Sequence, residues 1–245
     1  MSPASRPILA GIAAAWAVAI AAQVAGAAAL VHHDALLVDG PPPLLVGLLF
    51  LLSWQVMIAA MMLPSSLPMV RMFSVASANA PAQGRAMAAF IGGYAAVWSA
   101  FGALAFVFDA GLHAVVESSP WLHERDWAIG AGVLALAGAF QFTPLKDACL
   151  DKCRHPGQFL RRFYERGVGG GFRLGARHGA FCVGCCWALM LVMFAAGVAS
   201  LIWMALLTAL MVHEKTRPTG ARAVPVTGVA LLAAASVVFL YGLSG

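Results

Sequence analysis

Charged side chains are scarce in this sequence, and their scarcity excludes most soluble proteins. Lysine, arginine, aspartate and glutamate make up only 10% of the 245 residues, whereas 62% are hydrophobic. Soluble domains carry about 25% charged and roughly 45–50% apolar residues. No basic strip interleaved with aromatic residues points to nucleic acid, and the small net charge of +5 does not indicate nucleic-acid binding either. The composition predicts a protein whose partner is the lipid bilayer.

Familiar catalytic and nucleotide-binding motifs are also missing. The glycines at 167–175 are not followed by Gly-Lys-Ser/Thr, which excludes a P-loop, and no His-Glu-x-x-His zinc motif occurs. No nucleophile motif accompanies a Ser/His/Asp set. The sequence therefore favours a role other than that of an enzyme.

Long apolar runs are present instead, and a run of about 20 residues can cross a bilayer as a helix. They predict an all-α, polytopic transmembrane bundle in a single domain, 1–245. The seven predicted spans are 8–31, 43–63, 86–108, 127–145, 179–197, 199–213 and 223–243. The number is six if 179–213 forms one helix. Pro64 and Pro68 predict the end of the second span and Pro144 that of the fourth, because helix is disfavoured before a proline.

Basic residues predict the orientation, since cytoplasmic loops are rich in lysine and arginine. With seven spans and a cytoplasmic N-terminus, fourteen basic residues lie inside and only Arg125 lies outside. One helix over 179–213 would leave 11 inside and 4 outside, which favours seven spans. The basic cytoplasmic loop 146–178 is then expected to hold a short interfacial helix at 159–164 and a flexible glycine-rich connection. The first span could be a signal peptide, but its length favours a retained helix.

All five cysteines fall in two short windows at this cytoplasmic face. Cys149 and Cys153 follow the fourth span, whereas Cys182, Cys185 and Cys186 lie in the first turns of the fifth. Spacings of three and four residues place side chains on one helix face. Two facing helix ends could therefore offer four or five sulfurs to one ion. The cytosol keeps thiols reduced, so disulfides are not expected there.

Further candidate ligands lie near the cysteines. Met57 and Met61 share a face of the second span, and His178 precedes Cys182 by one helical turn. Thiolates and thioethers together select Cu(I), with zinc as the second possibility. Buried methionines are also common packing residues, so this reading stays open. Gln141 and Lys146 are interpreted as structural, the glutamine bonding across helices and the lysine reaching the membrane surface.

Four segments carry a resemblance to a known family: MIAAMMLP, QFTPLKDACLDKCR, FCVGCCWALM and WMALLTALMVHEK. Over about 50–215, the chain resembles uncharacterised bacterial proteins described as predicted metal-binding integral membrane proteins. The resemblance implies a polytopic helical protein with a metal role, which in a bacterium would lie in the inner membrane.

Three functions are compatible with these observations. The first is binding of a soft metal ion, Cu(I) above all, at the cytoplasmic face for transport or delivery to a metal chaperone or metalloenzyme. The second is a membrane thiol-disulfide oxidoreductase that uses Cys182 with Cys185 or Cys186, and Cys149 with Cys153. The third is an assembly partner whose cysteines are only buried packing residues.

Overall fold

Helices account for the architecture, as the sequence predicts. The computed structural model describes residues 5–26, 43–80, 82–125, 127–196 and 200–244, and within them it contains ten helices and no strand. They are α1 (Ser5–Val24), α2 (Pro43–Ala76), α3 (Gln83–Ser118), α4 (Pro120–His123), α5 (Trp127–Phe140), α6 (Pro144–Arg154), α7 (Pro156–Phe163), α8 (Gly167–Ala196), α9 (Leu201–Thr216) and α10 (Gly220–Ser244).

Five of the described helices are long and apolar enough to cross a membrane, or six if α5 and α6 form one bent span. The stretch 179–213, for which one or two helices were possible, forms parts of two helices, because α8 ends at Ala196 and α9 begins at Leu201. With 16 residues, α9 is short for a bilayer core, so a seventh crossing stays a prediction. The end predicted for the first span, residue 31, lies outside the described residues.

The predicted helix end at Pro64 is wrong, because α2 continues through Pro64 and Pro68 to Ala76. A proline inside a helix leaves the carbonyl four residues earlier without its usual donor. Here that carbonyl belongs to Ala60, and Trp16 of α1 donates its Nε1–H to it at 3.1 Å. Apolar helices tolerate proline where a neighbouring helix satisfies the freed group in this way.

The glycine-rich segment is also helical, not a flexible connection. Helix α8 begins at Gly167, well before the predicted start at residue 179. A Cβ at Gly171 would overlap the carbonyl oxygen of Ala86, and one at Gly175 would overlap that of Phe90. These glycines therefore serve close packing of α8 on α3, as small residues four apart do in apolar helix pairs.

The predicted interfacial helix exists as α7, but its apolar face is covered by protein. Phe159 and Leu160 are buried in a cluster that includes Phe73 of α2, whereas the predicted position was against lipid. Glu165 follows α7 and accepts a hydrogen bond from Arg173 Nε at 2.9 Å. This guanidinium holds the pKa of the Glu165 carboxyl below its usual value. Helices α6 and α7 and the beginning of α8 thus occupy most of the predicted loop.

Candidate metal centre

The first pair of cysteines is turned inward by a bend of 65° between α5 and α6. Helix α5 ends at Phe140 and Pro144 occupies the first turn of α6, so this proline begins a helix as well as following one. The Thr143 hydroxyl caps α6 by accepting from the Lys146 backbone N–H at 3.2 Å. Cys149 and Cys153 are consequently both buried.

The other three cysteines lie in the middle of α8, where each is buried. Their predicted place in the first turns of the helix is wrong, because α8 begins at Gly167. A helix dipole acts mainly within the terminal turn, so the beginning of α8 does not favour a thiolate at Cys182. Any compensating positive charge must come from a side chain.

The structure brings the two cysteine blocks together. The Cys153 and Cys185 sulfurs are 3.9 Å apart, and the Cys185 side chain also interacts with those of Cys182 and Cys186. Cys149 packs against α8 at Gly184, where a Cβ would lie only 2.6 Å from the Cys149 sulfur. Because Gly184 has no side chain, α6 can approach α8 closely at this point.

The thiols are held by the backbone in this arrangement. Cys185 and Cys186 donate to the carbonyl oxygen of Cys182 at 3.1 and 2.9 Å. Among the described residues, no three His, Cys, Asp or Glu side chains are grouped as ready ligands of one ion. Rotation about the Cα–Cβ bonds between staggered conformers would be needed to direct these sulfurs toward a shared ion.

The predicted accessory ligands have different surroundings. Met57 and Met61 are buried in the same core cluster as the cysteines, but the thioether in contact with Cys186 is that of Met62, at 3.9 Å. His178 Nε2 lies 3.2 Å from Ser66 Oγ, and the imidazole ring stacks on Tyr94. The predicted ligand roles of Met57, Met61 and His178 thus remain predictions.

Lys215 is the main residue that the sequence reasoning missed. Its ammonium is buried and donates to Cys182 Sγ and Ser65 Oγ, both at 3.2 Å, and to Cys186 Sγ at 3.8 Å. Tyr94 adds a hydroxyl 3.1 Å from the Cys182 sulfur. The sequence predicted Lys215 to lie in a cytoplasmic loop. Its position directly after an acidic residue and a long apolar run was the one indication in the sequence that it could be buried.

Lys146 does not reach the membrane surface as predicted. It is fully buried and forms an ion pair with Glu214 at 2.7 Å. Gln141 is likewise buried, but within the described structure its amide has no hydrogen-bond partner, so the predicted bond across helices is wrong. The ion pair joins α6, which carries Cys149 and Cys153, to α9, which carries Lys215.

The protein is therefore a helical protein with long apolar helices, in which buried cysteine thiols lie beside the buried ammonium of Lys215. The chain belongs to the copper chaperone family PpoB2, whose family model matches residues 51–238. No curated protein and no solved structure shows a significant match. The matched segment contains all five cysteines and Lys215, and the predicted relation to a metal-binding family is confirmed.

Proposed function

We propose that this protein is a membrane-embedded copper chaperone that carries Cu(I) as its cargo on the clustered sulfurs. The observation that carries the proposal is the convergence of Cys153, Cys182, Cys185 and Cys186 with Met62 in a buried cluster. These are the soft donors that select Cu(I) over harder ions, and zinc is the weaker alternative.

The remaining predicted ligands extend this set. Cys149 lies beside Gly184 at the edge of the thiols, and Met57 and Met61 continue the sulfur groups along α2. We propose them as positions through which the ion enters or leaves. His178, one turn before Cys182, is proposed as a further ligand that would exchange its contact with Ser66 for the ion.

Delivery, unlike storage, requires that the ion can leave the site. The bonds from Cys185 and Cys186 to the Cys182 carbonyl favour release, because the two sulfurs take up protons and regain these bonds when copper departs. A recipient thiol or imidazole could then remove the ion one ligand at a time. We propose a metalloenzyme or a second metal chaperone as this recipient.

Membrane embedding is supported by the surface of the apolar helices. Leu104, Val107 and Phe108 of α3 are all about 70% exposed, which is unfavourable in water. We propose a single multi-pass domain in a bacterial inner membrane. The bias of basic residues supports a cytoplasmic N-terminus and a thiol cluster near the cytoplasmic face.

Copper content provides the first test. The purified full chain is loaded with Cu(I) under anaerobic, reducing conditions, and the bound metal is measured by elemental analysis. About one equivalent per chain is expected for the native protein and almost none for Cys182→Ser/Cys186→Ser, because the variant lacks two of the central donors. Native protein that binds no copper would refute the proposal.

A methionine pair provides the matched control. Met62→Leu removes the thioether in contact with Cys186, whereas Met69→Leu changes an equally buried methionine of α2 in the other core cluster. Both changes conserve volume and cost little stability. Weaker copper binding is expected for Met62→Leu alone. Equal weakening in both variants would indicate an effect of packing and not of ligation.

Thiol-disulfide exchange is the second candidate, favoured by the 3.9 Å separation of the Cys153 and Cys185 sulfurs. The two thiols would pass two electrons and two protons to a partner disulfide and close to a bond of about 2.04 Å. Titration in glutathione redox buffers distinguishes the candidates: a reversible loss of two thiols, abolished by Cys153→Ser, supports exchange. Five thiols that stay reduced across the cytosolic range support the copper carrier.

A further inference from the structure

The ammonium of Lys215 is surrounded by three acceptors. It has three N–H donors, and the structure places Cys182 Sγ, Cys186 Sγ and Ser65 Oγ around it. The side chain is only 5% exposed, so its charge is poorly compensated by solvent. A buried cation is costly unless an opposite charge lies close to it.

The neighbouring acidic residue does not supply that opposite charge. Glu214 Oε2 accepts from Lys146 Nζ at 2.7 Å, and this pair is neutral in itself. The other titratable groups around Lys215 and these two thiols are Tyr94, His178, Cys153 and Cys185. None of them is negative unless it loses a proton. The positive charge of Lys215 is therefore available to the thiols.

The charge of the bound ion then decides whether the site becomes neutral. Two thiolates at Cys182 and Cys186 are balanced by one ammonium and one monovalent ion. A divalent ion would leave one positive charge in a buried site, unless a third thiol were also ionised. Zinc further prefers four ligands in a tetrahedral arrangement.

We propose that Lys215 is a specificity-determining residue that makes this site select the monovalent soft ions Cu(I) and Ag(I) over the divalent ions Zn(II) and Cd(II). The inference rests on the proposed copper function and identifies the class of ion carried. Its basis is the contact of one buried ammonium with two of the proposed ligands. Soft sulfur ligands alone would also bind Cd(II) and Zn(II). The charge of Lys215 adds a preference for monovalent ions to the preference of sulfur for soft ions.

Competition between Ag(I) and Cd(II) tests the inference, since neither ion changes its oxidation state in the assay. Both ions are titrated into the reduced, full-length protein, and the ratio of their dissociation constants is compared with that of Lys215→Met. An ammonium about 4 Å from the ion contributes enough that removing it should shift the ratio toward Cd(II) on the order of 100-fold. Lys215→Arg retains the charge and should retain the preference for silver.

Two further variants make the comparison decisive. Lys152→Met removes an exposed lysine on α6 that pairs with Asp151, and it should leave the ratio unchanged. Lys215→Gln, which keeps hydrogen bonding without charge, replaces the methionine variant if that protein does not fold. If the neutral Lys215 variant binds silver with the same ratio of Ag(I) to Cd(II) dissociation constants as the native protein, the inference is overturned and the copper proposal stands. A native protein that binds neither Ag(I) nor Cu(I) would overturn both.

Discussion

Glu214→Gln is expected to destabilise the protein by about 3–5 kcal/mol. The substitution removes the carboxylate that pairs with Lys146, both residues being almost completely buried. The remaining ammonium would be left in an apolar interior without a counter-charge. The free energy of unfolding of the detergent-purified chain, followed by the near-ultraviolet circular dichroism of its tryptophans, measures this loss.

Two control variants separate burial from ion pairing as such. Lys146→Met/Glu214→Leu removes both charges and is expected to recover most of the lost stability, because apolar residues of similar size can replace a buried pair. Glu165→Gln breaks an exposed pair with Arg173 and should have little effect, since water screens such pairs. A double variant as unstable as Glu214→Gln would contradict the account based on the unpaired charge.

The second large effect is expected from Gly175→Ala on the face of α8 that packs against α3. The added methyl group would overlap the carbonyl oxygen of Phe90, and a backbone atom cannot move aside as a side chain can. The helices must separate, which we expect to cost about 3 kcal/mol. The same separation would lengthen the 3.1 Å contact of Tyr94 with Cys182, because those residues bridge the same two helices.

Gly169→Ala is the matched control, because it makes the same change in the same helix. Within the described part of the chain, an added Cβ would meet only the Arg173 guanidinium there, at 3.5 Å, which is an ordinary contact. Alanine is a better helix former than glycine, so this variant should be stabilised by up to about 1 kcal/mol. Thermal unfolding of both variants in detergent tests the pair. Equal effects at the two positions would show that close packing of α8 on α3 is not the cause.

These predictions connect the fold to the site. The ion pair between Lys146 and Glu214 fixes α6 against α9, and the glycines of α8 fix its distance from α3. Cys153 of α6 approaches Cys185 of α8, and Tyr94 of α3 approaches Cys182 of α8. The positions of the proposed copper ligands therefore depend on residues that do not bind the ion.

The amino-acid sequence alone was sufficient to predict the helical class and the meeting of the two cysteine windows. Apolar runs long enough to cross a bilayer can satisfy their backbone groups only as helices. The cysteine spacings of three and four residues are local, so the shared helix faces follow from helical geometry. The division of 179–213 into two helices was likewise predicted, from the distribution of basic residues.

Only the tertiary structure decided which polar groups are buried and how the proline and glycine segments fold. Pro64 remains helical because Trp16, far away in sequence, satisfies the Ala60 carbonyl. The glycines of α8 are ordered because the backbone of α3 lies against them. Lys146 and Lys215 resemble loop lysines until partners 68 and 33 residues away are brought to them. Burial of a charge depends on where its counter-charge lies in space, and local sequence does not contain that information.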